Sequence, residues 1–173
     1  MSYYDMLRAG SAGGASKDAL AEVINSGPKN LLTNTKGNQT SDTLTFTLNS
    51  DDTVTAAGTA SRTVNTDYHI NSSLALKAGT YVLSGCPAGG DNSSTYKIQI
   101  SGVGYDSGES LEFTLAADTT IDVYVRIWKG YLPSNVVFKP MICTKAEWEA
   151  SKAYVPYAPT NRELYEMILA MQG

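Results

Sequence analysis

Histidine occurs once in this chain of 173 residues, as His69, and cysteine only twice, as Cys86 and Cys143. A Ser-His-Asp relay therefore has a single candidate base, and no G-x-S-x-G surrounds any serine to present a nucleophile. The two cysteines lie outside any C-x-x-C or Cys/His cluster, which excludes a cysteine-built metal site and a disulfide scaffold. They are expected as small buried hydrophobes, with one disulfide as the alternative. Charge is also scarce. Asp, Glu, Lys and Arg make up 17% of the residues, against a usual share of about 25%. With a net charge of −4, no cationic surface large enough to neutralise many phosphates is expected, so nucleic acid and acidic membranes are not expected partners. No run of about 18 apolar residues is present to insert in a membrane. The N-terminus lacks the basic-then-apolar layout of a secretory signal, so export is not expected. Phosphate-cradling loops are missing too: Gly102-Val-Gly104 leads into Tyr-Asp-Ser-Gly108 rather than into a helix, and is expected to be a turn. No cofactor is expected.

What the chain has instead is Thr, Ser and Asn, together about a quarter of its residues, the composition of strands and turns. Its length matches one domain of roughly 150 residues plus short extensions. Residues 1–28 are expected to form an attachment arm. Tyr3, Tyr4, Met6 and Leu7 make a short amphipathic piece, Gly10 to Ala15 a flexible joint, and Ser16 caps a short helix with Leu20, Val23 and Ile24 on one stripe, stopped by Gly27-Pro28. From 29 to 158 the hydrophobic period is two. Leu44, Phe46 and Leu48 alternate with threonines, and Asn49 to Asp52 turn the chain into Thr53 to Ala56. Further strands are expected at 68–70, 74–76, 80–84, 96–101, 111–115, 119–128 and 136–142. Eight or nine short strands with little helix between them imply an all-β, antiparallel β-sandwich. A final helix is expected within 159–173, capped by Thr160 or Asn161, with Leu164, Met167, Ile168 and Met171 at helical spacing. About three turns is too short to be stable alone, so this helix must pack on the sandwich or on copies of itself.

Four stretches in order, Lys29-Asn-Leu-Leu32, Leu76-Lys-Ala-Gly-Thr-Tyr-Val-Leu-Ser84, Phe138-Lys-Pro-Met-Ile142 and Ala153-Tyr-Val-Pro-Tyr157, resemble the jelly-roll, carbohydrate-binding-module-like domains of structural proteins in tailed bacteriophages and prophages. The resemblance covers about three quarters of the chain, and the opening Met1 to Ala9 looks like the start of small phage structural proteins. What it implies is a non-enzymatic virion component on tail, fibre, baseplate or capsid surface, made in the bacterial host cytoplasm. It further implies a homo-oligomer, with a trimer preferred, attachment to other virion proteins through the N-terminal arm, and contact with host-surface polysaccharide as one role the fold allows. The alternative is a free carbohydrate-binding module of a glycan-utilisation system. Domains of this type also carry a structural calcium, for which Asn49, Asp51 and Asp52 offer hard oxygens. Calcium needs about six to eight ligands and the remainder are not identifiable, so the expectation is a polar hairpin turn and no metal.

The most informative segment is Thr119 to Gly130. Alternation sends Ile121, Val123, Val125 and Ile127 to the core and leaves Asp122, Tyr124, Arg126 and Trp128 on the opposite face. By the same parity Lys97 and Gln99 point away from the core that holds Tyr96, Ile98 and Ile100. Rings that stack on sugar C–H patches beside Arg, Lys and Gln partners make a glycan platform. Aromatics with arginine equally make a subunit interface, and cover by the terminal helices is a third reading. Tyr105, Tyr131, Tyr154 and Tyr157 are expected in loops or tail, where they rim such a site or, in the tail, anchor the chain end. His69 is expected as an exposed strand residue. The carboxylates Glu109, Glu112, Asp118 and Asp122, candidates for glycosidic cleavage by their nearness in sequence, are expected to flank strand ends in water.

Overall fold

The structure is a computed structural model that describes residues 29–158. The expected arm over 1–28 and the expected helix within 159–173 lie outside the described residues. The described chain is all-β. Its strands are β1 (Gln39–Ser41), β2 (Leu44–Leu48), β3 (Val54–Gly58), β4 (Thr66–Leu76), β5 (Gly79–Ser84), β6 (Tyr96–Ile100), β7 (Gly104–Asp106), β8 (Leu111–Leu115), β9 (Thr119–Ile127), β10 (Val136–Phe138) and β11 (Met141–Thr144). A short helix, α1 (Lys145–Ala150), follows. All the strand pairs are antiparallel and form three sheets, with orders β1-β2-β3-β10, β11-β5-β8 and β4-β9-β6-β7.

Alternation explains how these strands pack. In β2 the buried Leu44 and Phe46 are separated by exposed threonines, and β3 answers with buried Val54 and Ala56. In the four-stranded sheet of β9, the inward set is Ile121, Val123, Val125 and Ile127, joined by Tyr68 and Ile70 from β4 and by Tyr96, Ile98 and Ile100 from β6. These side chains meet those of the other two sheets in one continuous core. Phe46 stacks on Tyr68 with ring centroids 4.8 Å apart, and Tyr96 meets Phe138 edge-on at 5.4 Å. Each large side chain so buried contributes about 1.5–3 kcal/mol. The three sheets share this core in a sandwich-like all-β arrangement.

Several expectations need correction. The expected strand 136–142 is two strands, because Pro140 has no N–H to continue a ladder and the chain moves from the β3 partner to the β5 partner at that point. Residues 68–70 and 74–76 belong to one strand, β4, with register shifts between His69 and Asn71 and between Asn71 and Leu74. The segment expected as a turn between Gly102 and Gly108 contains β7, which pairs with β6 at its edge. Helix α1 was not foreseen. Its Thr144 hydroxyl accepts from the Glu147 N–H while the Glu147 carboxylate accepts from the Thr144 N–H at 2.9 Å, a reciprocal cap. The helix packs on β5 and β11, where Val82 and Cys143 form a buried pair on the side away from the main core.

The ends of the described chain close the sandwich. Leu31 N–H donates to Ile142 O at 2.7 Å, and Thr35 N–H donates to Ile70 O at 2.9 Å, so the segment between them ties β11 to the edge strand β4. Tyr154 OH donates to Asp51 O at 2.9 Å, and Tyr157 forms a parallel bridge with Asn30. The tail tyrosines therefore anchor the chain end. Both cysteines are free and buried. Burial pushes the Cys86 thiol up to about 12 and the Cys143 thiol up to about 11, so neither is a ready nucleophile.

Candidate functional site

The outward face of β4-β9-β6-β7 collects the residues that sequence parity placed there. Its first row runs Asp67, Arg126, Lys97 across β4, β9 and β6; its second runs His69, Tyr124, Gln99, Tyr105 across all four strands. Directly opposed residues on antiparallel strands have their side chains close enough to interact, so register alone brings these groups together. Trp128 and Asp122 flank the rows on β9 and its extension.

Cations and rings interleave on this face. The Lys97 ammonium lies 4.9 Å from the Tyr105 ring centre and 5.3 Å from that of Trp128. The Arg126 guanidinium lies 5.3 Å from the Tyr124 ring and 5.6 Å from the Trp128 ring. All four contacts are within the range where a ring quadrupole attracts a cation. Arg126 also donates twice to Asp67, Nε to Oδ1 and Nη2 to Oδ2, both at 2.7 Å. That paired hydrogen bond holds the guanidinium above its ordinary pKa. Lys97 is only 4% exposed. Burial, followed by the nearby Arg126 charge, pushes its ammonium below the ordinary lysine range.

A loop clamps the end of the face. Asp91 accepts from Ser94 and from the N–H groups of Ser93, Ser94 and Thr95. The loop so ordered receives Trp128: the indole N–H donates to Asp91 O at 3.3 Å and the Trp128 N–H to Thr95 O at 3.0 Å. Its next residue, Asn92, accepts from the Lys97 ammonium at 2.6 Å.

All five expected site residues, Tyr124, Arg126, Trp128, Lys97 and Gln99, thus share one face. Their accessibility differs from an open platform. Tyr124 is 7% exposed, and Gln99 Oε1 is buried without a hydrogen-bond partner among the described residues. Tyr105, at 39%, is the most open ring. Of the other tyrosines proposed as a rim, Tyr131 packs on Tyr96 at 5.4 Å, and Tyr154 and Tyr157 fasten the tail. Asp67, Asp91 and Asn92 were missed. The inward parity of Tyr68 already put Asp67 outward, whereas no sequence pattern ties a loop residue such as Asn92 to Lys97.

His69 belongs to the same face. It is half-exposed, its Nδ1 lies 2.9 Å from Asp122 Oδ1, and its ring lies 5.2 Å from that of Tyr124. An acid–base pair is therefore present, but neither cysteine nor any serine hydrogen-bonds this ring among the described residues. The remaining candidate carboxylates disperse: Glu112 pairs with Lys145, Asp118 with Lys77, and Glu109 is exposed in the β7–β8 loop. At the β2–β3 turn, Asp51 accepts from the N–H and hydroxyl of Thr53, and Asn49 donates to Thr53 and Thr55. These polar atoms serve the turn itself. Comparison with protein families, curated proteins and solved structures finds no match for the chain.

Proposed function

We propose that this chain is a non-enzymatic structural protein of a tailed-phage particle, made in the bacterial host cytoplasm and carried on the virion, whose outward sheet face docks a neighbouring subunit. The observation that carries the docking role is the accessible part of the two-row face, Trp128, Arg126, Gln99 and Tyr105, packed over the covered Tyr124 and Lys97. Trp, Tyr and Arg dominate the energetics of protein interfaces when held rigid before contact. Here the Asp67 pair and the Asp91 loop hold them. The virion setting rests on the resemblance of the four ordered stretches. A jelly roll is supported by strand order: one layer is β4-β9-β6-β7, and the other reads β3, the consecutive β10 and β11, β5 and β8. Successive strands from β3 onward cross between layers, except at the β6–β7 hairpin and the β10–β11 bend, which is the wrapping a jelly roll requires. In this reading the chain is a homo-oligomer, preferably a trimer, attached to other virion proteins through residues 1–28 and joined by the segment 159–173.

A second reading, contact with host-surface polysaccharide at the same face, is favoured by the open ring of Tyr105 beside Gln99. Light scattering and a glycan array on Trp128→Ala and Arg126→Ala decide between them. Docking between subunits predicts that the unmutated chain scatters as a multiple of 18.5 kDa and that both variants dissociate. Glycan binding that both variants abolish, with the oligomer intact, selects the second reading. A monomer that binds no glycan refutes both. A gene placed among glycan hydrolases and transporters, rather than among portal, capsid, tail or lysis genes, would favour the free carbohydrate-binding module.

A further inference from the structure

Away from that face, the end of β5, the β7–β8 loop and the chain around the end of α1 border an open cleft of about 270 Å³. Asp106 makes its floor rigid. This carboxylate is 1% exposed and accepts three backbone N–H groups, from Cys86 and Gly108 at 2.8 Å and from Ser110 at 2.9 Å. Its charge is thereby shared among three donors. Glu109, Trp148 and Lys152 are among the side chains that line it. Lys145 is taken up by Glu112 and Glu149, but Glu109 and Lys152 form no ion pair among the described residues, with each other or with anything else. Ser84 adds a hydroxyl to the lining. It is 6% exposed and lines the cleft, yet its hydroxyl has no hydrogen-bond partner among the described residues.

We propose that this cleft binds a small zwitterion of amino-acid size, one ammonium and one carboxylate on a compact body. A carboxylate and an ammonium that face one cleft without neutralising each other match a ligand carrying both charges and no net charge. Glu109 and the face of the Trp148 indole hold the ammonium, since a ring quadrupole attracts a cation within about 6 Å. Lys152 and the Ser84 hydroxyl donate to the carboxylate. A ligand of single sign would satisfy one charge and leave the other in place. A neutral sugar would use the ring and the hydroxyl but neither charge. The site is separate from the ring and cation face and does not rest on the docking role proposed above.

The test is a titration of the isotope-labelled full chain, followed by amide and indole N–H shifts, with L-alanine and glycine betaine as zwitterions. Acetate, tetramethylammonium and methyl α-glucoside are the single-sign and neutral controls. The zwitterions should move the Trp148 indole signal and the Ser84 and Ser110 amides, with dissociation constants in the millimolar range. Glu109→Gln and Lys152→Gln should each weaken binding about two- to fivefold, the effect of losing one exposed ion pair. Signals from the core should stay in place, which certifies the fold of both variants. Trp128→Ala should leave the titration unchanged. No shift of these signals at about 50 mM zwitterion, well above the expected constants, overturns the proposal. So does a single-sign control that binds as tightly, or methyl α-glucoside binding that neither Glu109→Gln nor Lys152→Gln alters.

Discussion

Removing the Asp106 carboxylate tests how far one buried acid holds the β7–β8 region together. The loop it supports is locally unfavourable: Ser110 has φ of 62° and Gly108 φ of 118°, and both N–H groups bond to the same Oδ1. The other oxygen, Oδ2, reaches across to Cys86 at the end of β5. Asp106→Ala leaves three N–H groups without an acceptor. Each bond to a charged group is worth about 1.5–3 kcal/mol, and a donor left without one loses about 1–3 kcal/mol. Water can replace the partner of a donor near the loop surface, so the expected loss is about 3–5 kcal/mol rather than the full sum. That is a large share of the roughly 5–15 kcal/mol that stabilises a typical domain. Asp106→Asn keeps one acceptor oxygen for Gly108 and Ser110 but turns an NH₂ toward Cys86, so it should lose about 1.5–3 kcal/mol. Urea unfolding followed by tryptophan fluorescence measures both. With a slope of about 2 kcal/mol per molar urea, the alanine midpoint should fall by roughly 2 M and the asparagine midpoint by about half as much. An alanine variant within about 1 kcal/mol of the parent, or an asparagine variant as damaged as the alanine one, would refute the reasoning.

Other consequences follow from equally local geometry. Gly85→Ala should prevent folding or lower the thermal midpoint by more than about 10 °C, because an added Cβ would lie 1.8 Å from Lys139 O at a φ of 108°; a midpoint within a few degrees of the parent would contradict it. A double-mutant cycle of Asp67→Ala and Arg126→Ala should return a coupling of about 1 kcal/mol, the upper range for surface pairs, because the contact is bidentate and only a quarter of each side chain is exposed. Additive effects in thermal unfolding would show that the pair is incidental. The Asp91 carboxyl sits well below its usual value of 3.8 because the Ser94 hydroxyl, then the Ser93 and Ser94 N–H groups, donate to it. A depressed acid supports the loop fully above that usual value and loses the contribution as pH falls below it, since the unfolded loop then binds the proton more readily. Trp128 fluorescence should therefore change on acidification below pH 3.8, and Asp91→Asn should remove that change; an identical acid profile in the variant would disprove it.

The β-class and the direction of each side chain on β9 were legible in the sequence because a strand sends successive residues to opposite faces whatever it packs against. Ile121 and Val123 go inward and Tyr124 and Arg126 outward under that rule alone, and the Thr-rich alternation of β2 is as plain. The reciprocal cap of α1 was also written in the chain, as Thr144 and Glu147 three residues apart, although six helical residues carry too short a period to draw attention. Strands of three residues, such as β1 and β7, carry no usable period either, which is why β7 read as a turn.

Tertiary structure alone decided which groups became neighbours. Residue parity puts Lys97 on an outward face, but it cannot say that β6 lies beside β9 in the register that opposes Lys97 to Arg126, nor that β4 brings Asp67 to the other side of the same guanidinium. Those distances depend on strand order, a choice made by pairing segments far apart in the chain. Burial is decided in the same way: Tyr124 and Lys97 are outward by sequence and covered in fact, because the His69 ring and the Arg126 guanidinium lie against Tyr124, and Tyr105, Trp128 and Asn92 lie against Lys97. The cleft lined by Glu109 and Lys152 is the extreme case, since these residues lie 43 positions apart and share it only because β8, β5 and β11 stand side by side.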